Sequence, residues 1–213
     1  MPVFQFDHLK FNSVPVVGII RGIDAADFEM ILKPFVNAGL TTLEITLNTT
    51  GAGNLIRTAN EFFQGNVNVG AGTVRSLKDL DLALEFGASF IVTPVLNQTV
   101  VSKCVELKIP VFPGAFTPTE IAEAFDAGAT MVKVFPASSV GPDYIKNVKA
   151  PMPEIKLMPT GGVSLENLQA YKDAGADAYG MGTPLFRTDL IKQKNWSALE
   201  DHFRNVADAV KFN

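Results

Sequence analysis

Short apolar, β-branched runs alternate with amphipathic stretches along the whole chain. VPVVGII (14–20), TTLEITL (41–47), VNVGAG (67–72), SFIVTP (89–94), IPVFPG (109–114), TMVKVF (130–135), IKLMPTGG (155–162) and DAYGMG (177–182) read as eight strands. Helical spacing of apolar positions marks 25–38, 77–86, 119–127 and 165–174 between them, and 196–210 after the last. Strand and helix in alternation is the pattern of a parallel sheet.

A repeat makes this more specific. NAGLTTLEI, EFGASFIVT, DAGATMVKV and DAGADAYGM each place a glycine at the end of a helical stretch, at Gly39, Gly87, Gly128 and Gly175. A left-handed residue closing the helix suits glycine at these positions. The spacings of 48, 41 and 47 residues correspond to two strand-helix units each, so the repeat marks every second strand of eight. The expected fold is α/β, a (βα)8 TIM barrel, with 1–213 forming a single barrel domain that carries a C-terminal helix. A doubly wound open sheet is the other candidate, but GIIRGIDAAD after the first strand lacks the G-x-G-x-x-G phosphate loop.

Composition narrows the function classes. With 47% apolar and 19% charged residues over 213 positions, the chain can bury a large core. A net charge of −4 gives no basic footprint, so no nucleic-acid partner is expected. The N-terminal apolar run is too short to span a bilayer and lacks a charged leader region, so no membrane association and a cytoplasmic location are expected. Cys104, the single cysteine, stands at helical spacing and reads as a buried structural thiol. His8 and His202 lie at opposite ends of the chain, and Glu44 is the one acid in the upper half of a strand, so no metal site is expected.

The chemistry centres on one lysine. Five residues beyond each repeat glycine stand Glu44, Val92, Lys133 and Gly180, which are equivalent positions. Alternate strands of a barrel fill the same interior layer, so Glu44 and Lys133 should face each other across the axis, meeting directly or through a water, while Leu43, Ile45, Val132 and Val134 face the helices. One reading is a structural ion pair, although such a pair breaks even at best against apolar residues. The other makes Lys133 an amine nucleophile with Glu44 as its proton shuttle. A lysine of ordinary pKa is neutral in fewer than ~1 molecule in 1,000 at pH 7, and burial lowers that pKa.

Glycine turns follow the last two strands. Thr160, Gly161 and Gly162 lead to a helix that Ser164 can cap, and Gly182 and Thr183 lead to one with Pro184 in its first turn. Such loops bind phosphate through open amides, and Arg21 at the tip of the first strand can reach the same anion. Gly70 and Gly72 would bring backbone close to a ligand and Thr73 offers a hydroxyl, although packing is the first reading of each of these strand-tip residues. Pro94 and the FPGAFTP loop form stiff walls, Phe135 points inward beside the lysine, and Phe62, Phe63, Phe86 and Phe125 read as core.

LEITLNT, VGAGTV, VTP, FPGAFTPTE, MVKVFPAS and MPTGGVSLENL together resemble the class I aldolases that cleave 2-keto-3-deoxy-6-phosphogluconate and its relatives, over Val14 to Arg187. The resemblance implies a cofactor-free homotrimer that acts on a phosphorylated 2-keto acid and forms a Schiff base with pyruvate at Lys133, with Glu44 as general acid and base. It assigns Thr73 to the pyruvyl carboxylate, and Arg21, Thr160, Gly161, Gly162 and Thr183 to the phosphate. Asn48 stands where gluconate-type members carry an arginine that contacts the carboxylate; galactonate-type members have asparagine there and an FGPQYIK-like segment, which VGPDYIK (140–146) resembles. Both substrates stay open, as does 4-hydroxy-2-oxoglutarate. A phosphosugar isomerase or epimerase would keep the phosphate loops without needing Lys133, and a non-catalytic ligand-binding barrel would need neither residue.

Overall fold

The structure is a computed structural model in which residues 5–211 are described, so the first four residues of the N-terminal run lie outside it. In chain order the elements are α1 (His8–Ser13), β1 (Val16–Ile20), α2 (Ala25–Asn37), β2 (Thr42–Thr46), α3 (Ala52–Phe63), β3 (Asn68–Gly72), α4 (Leu77–Glu85), β4 (Ile91–Val92) and α5 (Gln98–Glu106). There follow β5 (Val111–Phe112), β6 (Gly114–Ala115), α6 (Pro118–Asp126), β7 (Val132–Val134), a 3₁₀ turn (Ala137–Ser139), α7 (Gly141–Lys149), β8 (Leu157–Pro159), α8 (Leu168–Asp173), β9 (Tyr179–Met181), α9 (Thr188–Lys192) and α10 (Trp196–Val210).

All strand pairs are parallel and curl in sequence order. One sheet runs β5-β4-β3-β2-β1-β9 and the other β6-β7-β8. No reversal of strand order interrupts the larger sheet, which separates it from the doubly wound alternative. Pro113 splits β5 from β6, yet β7 runs beside both: Thr130 N donates to Val111 O at 3.0 Å, Lys133 N to Pro113 O at 2.9 Å and Phe135 N to Ala115 O at 3.0 Å. On the other side of β8, Asp177 N donates to Leu157 O at 2.9 Å, and Thr160 bridges Gly180.

Alternation along each strand sorts the apolar side chains into two sets. Leu43, Ile45, Val132 and Val134 belong to the larger core between sheet and helices, as their parity requires. Val17, Ile19, Val92 and Met158 form a second core on the concave side with Phe90 and Phe112. Its floor is closed by α1, which the apolar pattern misses. Asp7 caps that helix by accepting from Leu9 N and Lys10 N. Phe11 then stacks on Phe112 at 5.7 Å, and Phe6 meets Phe90 edge-on at 5.4 Å.

The four repeat glycines sit at φ +84, +92, +92 and +88°. After each, the next amide reaches back to the helix: Leu40 N to Phe35 O, Ala88 N to Ala83 O, Ala129 N to Ala124 O and Ala176 N to Tyr171 O, the Schellman pattern that closes a helix before a strand. A fifth copy uses a non-glycine residue, Lys108 at φ +57°, with Ile109 N donating to Cys104 O at 2.8 Å.

Three local expectations are corrected. Ser164 does not cap a helix, because the chain turns through 164–167 before α8 begins at Leu168. No helix starts at Pro184; Phe186 N closes one turn onto Gly182 O, and α9 begins at Thr188. Phe62 and Phe125 are exposed, at 47% and 40%, on the outer faces of α3 and α6, whereas Phe63 is buried. At Gly70 and Gly72 the packing reading is the one that holds: a Cβ on Gly70 would strike the Phe90 ring, and one on Gly72 would overlap the Glu44 carboxylate. Helical spacing marks a helix but not how much of its circumference is covered, and parity marks an inward glycine but not which neighbour fills the space.

Two substitutions test the helix closures. A Cβ at Gly39 meets nothing within 4 Å, so Gly39→Ala carries the left-handed backbone penalty alone and should destabilise by about 1 to 2 kcal/mol in urea unfolding. Lys108→Gly relieves the same penalty at the fifth closure and should stabilise by about 0.5 kcal/mol.

Candidate active site

β7 carries Lys133 in mid-strand with Val132 and Val134 on the opposite face, so the local pattern that builds the strand also turns the lysine inward. Its residue exposure is 4%. The amine lies 5.0 Å over the ring of Phe135, two residues further along the same face. Glu44, on β2, is 1% exposed, and its carboxylate occupies the space that Gly72 leaves open on the neighbouring strand.

Among the described residues Lys133 and Glu44 make no direct ion pair, and Glu44 Oε2 is buried without a hydrogen-bond partner. Each still feels the other's field. Burial pushes the Glu44 carboxyl above its ordinary range, against the opposing pull of Lys133 and Arg21. Burial also pushes the Lys133 amine below its ordinary range; Glu44 opposes this and Arg21 adds to it. Both shifts run toward the neutral forms.

Lys133 opens onto a cavity of about 320 Å³ at the C-terminal ends of the strands. Arg21, Phe135, Thr160, Gly161, Gly162, Gly182 and Thr183 line it as well. The sequence-predicted residues on the first and the last three strand positions therefore converge on one site. Arg21 is exposed at the end of β1, and Thr160 is buried with its side chain over Gly180, where a Cβ would not fit. Gly161 and Gly162 sit at φ +90 and +81°, and their amides and that of Thr183 have no protein acceptor among the described residues.

Four other sequence-predicted residues are not in that lining. Glu44 lies beneath it, coupled through its charge. Asn48 is exposed past the end of β2, and Pro94 follows β4 with its carbonyl against Gly114. Thr73 follows β3 at φ +60°, a conformation that costs a β-branched residue energy and is kept where the surroundings fix it. Ile19, Ile23, Pro184, Phe186 and Thr188 line the cavity without having been singled out. Ile19 was findable, since it shares Arg21's strand parity; Ile23, Pro184 and Phe186 stand in connections whose path no periodicity gives, and Thr188 opens α9, which the apolar pattern does not mark.

Other reactive groups are accounted for. Cys104 is fully buried in α5 and burial pushes its thiol up to about 11, which keeps it protonated and inert. Among the described residues no group of three His, Cys, Asp or Glu side chains is gathered to hold a metal, and no helix is long and apolar enough to cross a membrane.

A family model for KDPG and KHG aldolases matches residues 8–202. The chain is 35% identical over 177 residues to the 2-dehydro-3-deoxy-6-phosphogalactonate aldolase of Escherichia coli K12, covering 83% of this chain and 86% of that one. It is 32% identical over 203 residues to the 2-dehydro-3-deoxy-phosphogluconate aldolase of Haemophilus influenzae, covering 95% of each. The solved structure of KDPG aldolase from Legionella pneumophila, with pyruvate captured as a covalent carbinolamine, superposes with a TM-score of 0.85 at 26% identity, covering 93% of this chain and 96% of that one.

The charges around Lys133 set the direction of two titration experiments. Glu44→Gln removes the charge that raises the amine's pKa and should lower it further, whereas Arg21→Ala removes a charge that lowers it and should raise it. NMR titration of the labelled lysine Cε reads both: in the wild type the midpoint should fall below 10.5, and opposite shifts in the two variants are expected.

Proposed function

The chain belongs to the KDPG and KHG aldolase family, a family of carbon–carbon lyases, and from that premise we propose a class I mechanism with Lys133 as the nucleophile and a 2-keto-3-deoxy-6-phospho-sugar acid as the substrate. The observation that carries this reading is a strand-borne amine, 4% exposed and held below its ordinary pKa, opening onto a cavity rimmed by free backbone amides. An isomerase or epimerase needs no such amine, and the family match favours the aldolase.

The neutral amine of Lys133 adds to the C2 ketone, and loss of water leaves a protonated imine. Glu44 accepts the C4 hydroxyl proton, the C3–C4 bond breaks, and its electron pair enters the imine as an enamine while glyceraldehyde 3-phosphate departs. C3 then takes a proton and water releases pyruvate, restoring the amine. Glu44 suits proton transfer because burial raises its pKa, so that it holds a proton more readily than a solvated carboxyl, and Oε2 has a free lone pair.

Arg21 and the amides of Gly161, Gly162 and Thr183 take the phosphate, with Thr160 and Gly182 shaping the cavity between. Phe135 shields the imine. Thr73, held in its strained conformation, meets the pyruvyl carboxylate, with Asn48 and Pro94 on the same side. Asn48 and the VGPDYIK segment favour the galactonate-type acid over the gluconate type, and 4-hydroxy-2-oxoglutarate, yielding pyruvate and glyoxylate, is a second substrate. We further propose that the strands close into a complete (βα)8 barrel, a single domain in which β5 and β6 count as one strand broken by Pro113 and β8 meets β9 through the Thr160–Gly180 bridge. The protein works without a cofactor, as a homotrimer, in the cytoplasm.

Borohydride added with pyruvate should inactivate the protein and leave a reduced pyruvyl adduct on the VKVFPAS peptide. Lys133→Ala and Lys133→Arg should abolish labelling and lower turnover by several orders of magnitude, since a guanidinium does not deprotonate. Labelling at another lysine would reject the mechanism. Glu44→Gln should still be labelled, more slowly, while cleavage falls, and Gly72→Ala should copy it because a Cβ there takes the carboxylate's space. Arg21→Ala should raise KM for the phosphorylated substrate about tenfold or more, a much larger change than it makes to cleavage of 4-hydroxy-2-oxoglutarate, which should slow only as far as the Lys133 amine is more protonated.

A further inference from the structure

The loop after β8 has its carbonyls taken up one after another. Thr160 O accepts from Ala137 N at 2.8 Å and Gly161 O from Ser138 N at 2.9 Å. Gly162 O accepts from Asn167 Nδ2 at 2.8 Å. The first two donors are main-chain groups on the segment that follows β7. The third is a side chain, and the same carboxamide accepts from Ser164 N through Oδ1 at 2.9 Å, so Asn167 ties the loop at two points.

Asn167 stands at the N-cap of α8 yet gives that helix no side-chain cap. A short polar residue at this position ordinarily accepts from the first turn of its own helix, a contribution of about 1 kcal/mol. Here the side chain turns back to the loop and forgoes that bond.

A trans peptide is planar, so the N–H of one residue points opposite to the carbonyl of the residue before it. Fixing the carbonyls of Thr160, Gly161 and Gly162 therefore fixes the N–H groups of Gly161, Gly162 and Val163. Among the described residues none of these three amides has a protein acceptor, and Val163 is 1% exposed. An N–H left unpaired on a buried residue indicates a ligand or ordered water. Gly161 and Gly162 also stand at the cavity wall, which places their amides within reach of a bound anion.

We propose that Asn167 is a positioning residue for the anion subsite: by clamping the Gly162 carbonyl it aims the Val163 N–H, as a third main-chain donor beside those of Gly161 and Gly162, at the substrate phosphate. The assignment deepens the aldolase reading and rests on it for the identity of the anion. Asn167 itself touches no substrate and acts through the loop.

Two experiments decide it. In the wild type, inorganic phosphate should slow hydrogen exchange at Gly161, Gly162 and Val163 together. Asn167→Ala and the similarly sized Asn167→Leu should raise the inhibition constant of inorganic phosphate, and KM for the phosphorylated substrate, about tenfold, the ratio equivalent to one hydrogen bond of about 1.4 kcal/mol. The rate at which pyruvate and borohydride trap Lys133 should not change, which a general loosening of the fold would not spare. Exchange at Val163 unaffected by phosphate, or trapping that falls in step with phosphate affinity, would overturn the proposal. Three-amide protection in a wild type that pyruvate fails to trap would support it and reject the aldolase reading instead.

Discussion

An ammonium taken out of water loses hydration that a protein replaces only with fixed partners, and Lys133 has the face of Phe135 and the field of Glu44. Without a direct ion pair the desolvation is not repaid, and burial wins: the amine is pushed down and the carboxyl up. Much of the concave core follows from housing that pair. Gly72 has no side chain because Glu44 needs the space, and Gly180 none because Thr160 does. Below them Phe11, Phe90 and Phe112 seal the floor, so water reaches the amine through the cavity at the strand ends.

The same shifts make the pair a cost to stability at neutral pH. The raised carboxyl stabilises the fold fully below pH 4.5, its unfolded value, and that contribution is lost as pH rises through its folded value. The lowered amine stabilises the fold above pH 10.5, and that contribution is lost as pH falls through its folded value. Between the two, both groups oppose folding. Apolar residues of similar size would carry no such cost, so stability alone does not account for the pair.

What the sequence made legible was whatever depends on parity or backbone sign. Gly39, Gly87, Gly128 and Gly175 are left-handed because a helix must close before each strand, and counting five residues on places Glu44 and Lys133 inward. The convergence of Arg21, Lys133, Thr160 and the glycine loops on one cavity follows from strand order. What stayed hidden depends on three-dimensional neighbours: which side chain fills the gap over Gly70, how Asp7 starts a six-residue helix, and why Phe62 and Phe125 are left uncovered. Asn167 shows the limit most clearly, since its type and place suit a helix cap and the structure uses it elsewhere.

The amine and the loop after β8 are parts of one hydrogen-bonded unit. Lys133 sits on β7; three and four residues past its end, Ala137 N and Ser138 N hold the carbonyls of Thr160 and Gly161, and Thr160 N returns to Val134 O at 2.9 Å. The Phe135 ring that covers the amine also lies 3.4 Å from where a Cβ on Gly161 would be. The distance from nucleophile to loop is therefore set by main-chain bonds and tight packing rather than by flexible side chains. For the proposed chemistry that rigidity matters, because the keto carbon that meets the amine and the phosphate at the far end of the substrate must be held at once, and a fixed span turns binding of the phosphate into alignment of the ketone. A shorter acid lacking the phosphate would find the amine but not the alignment.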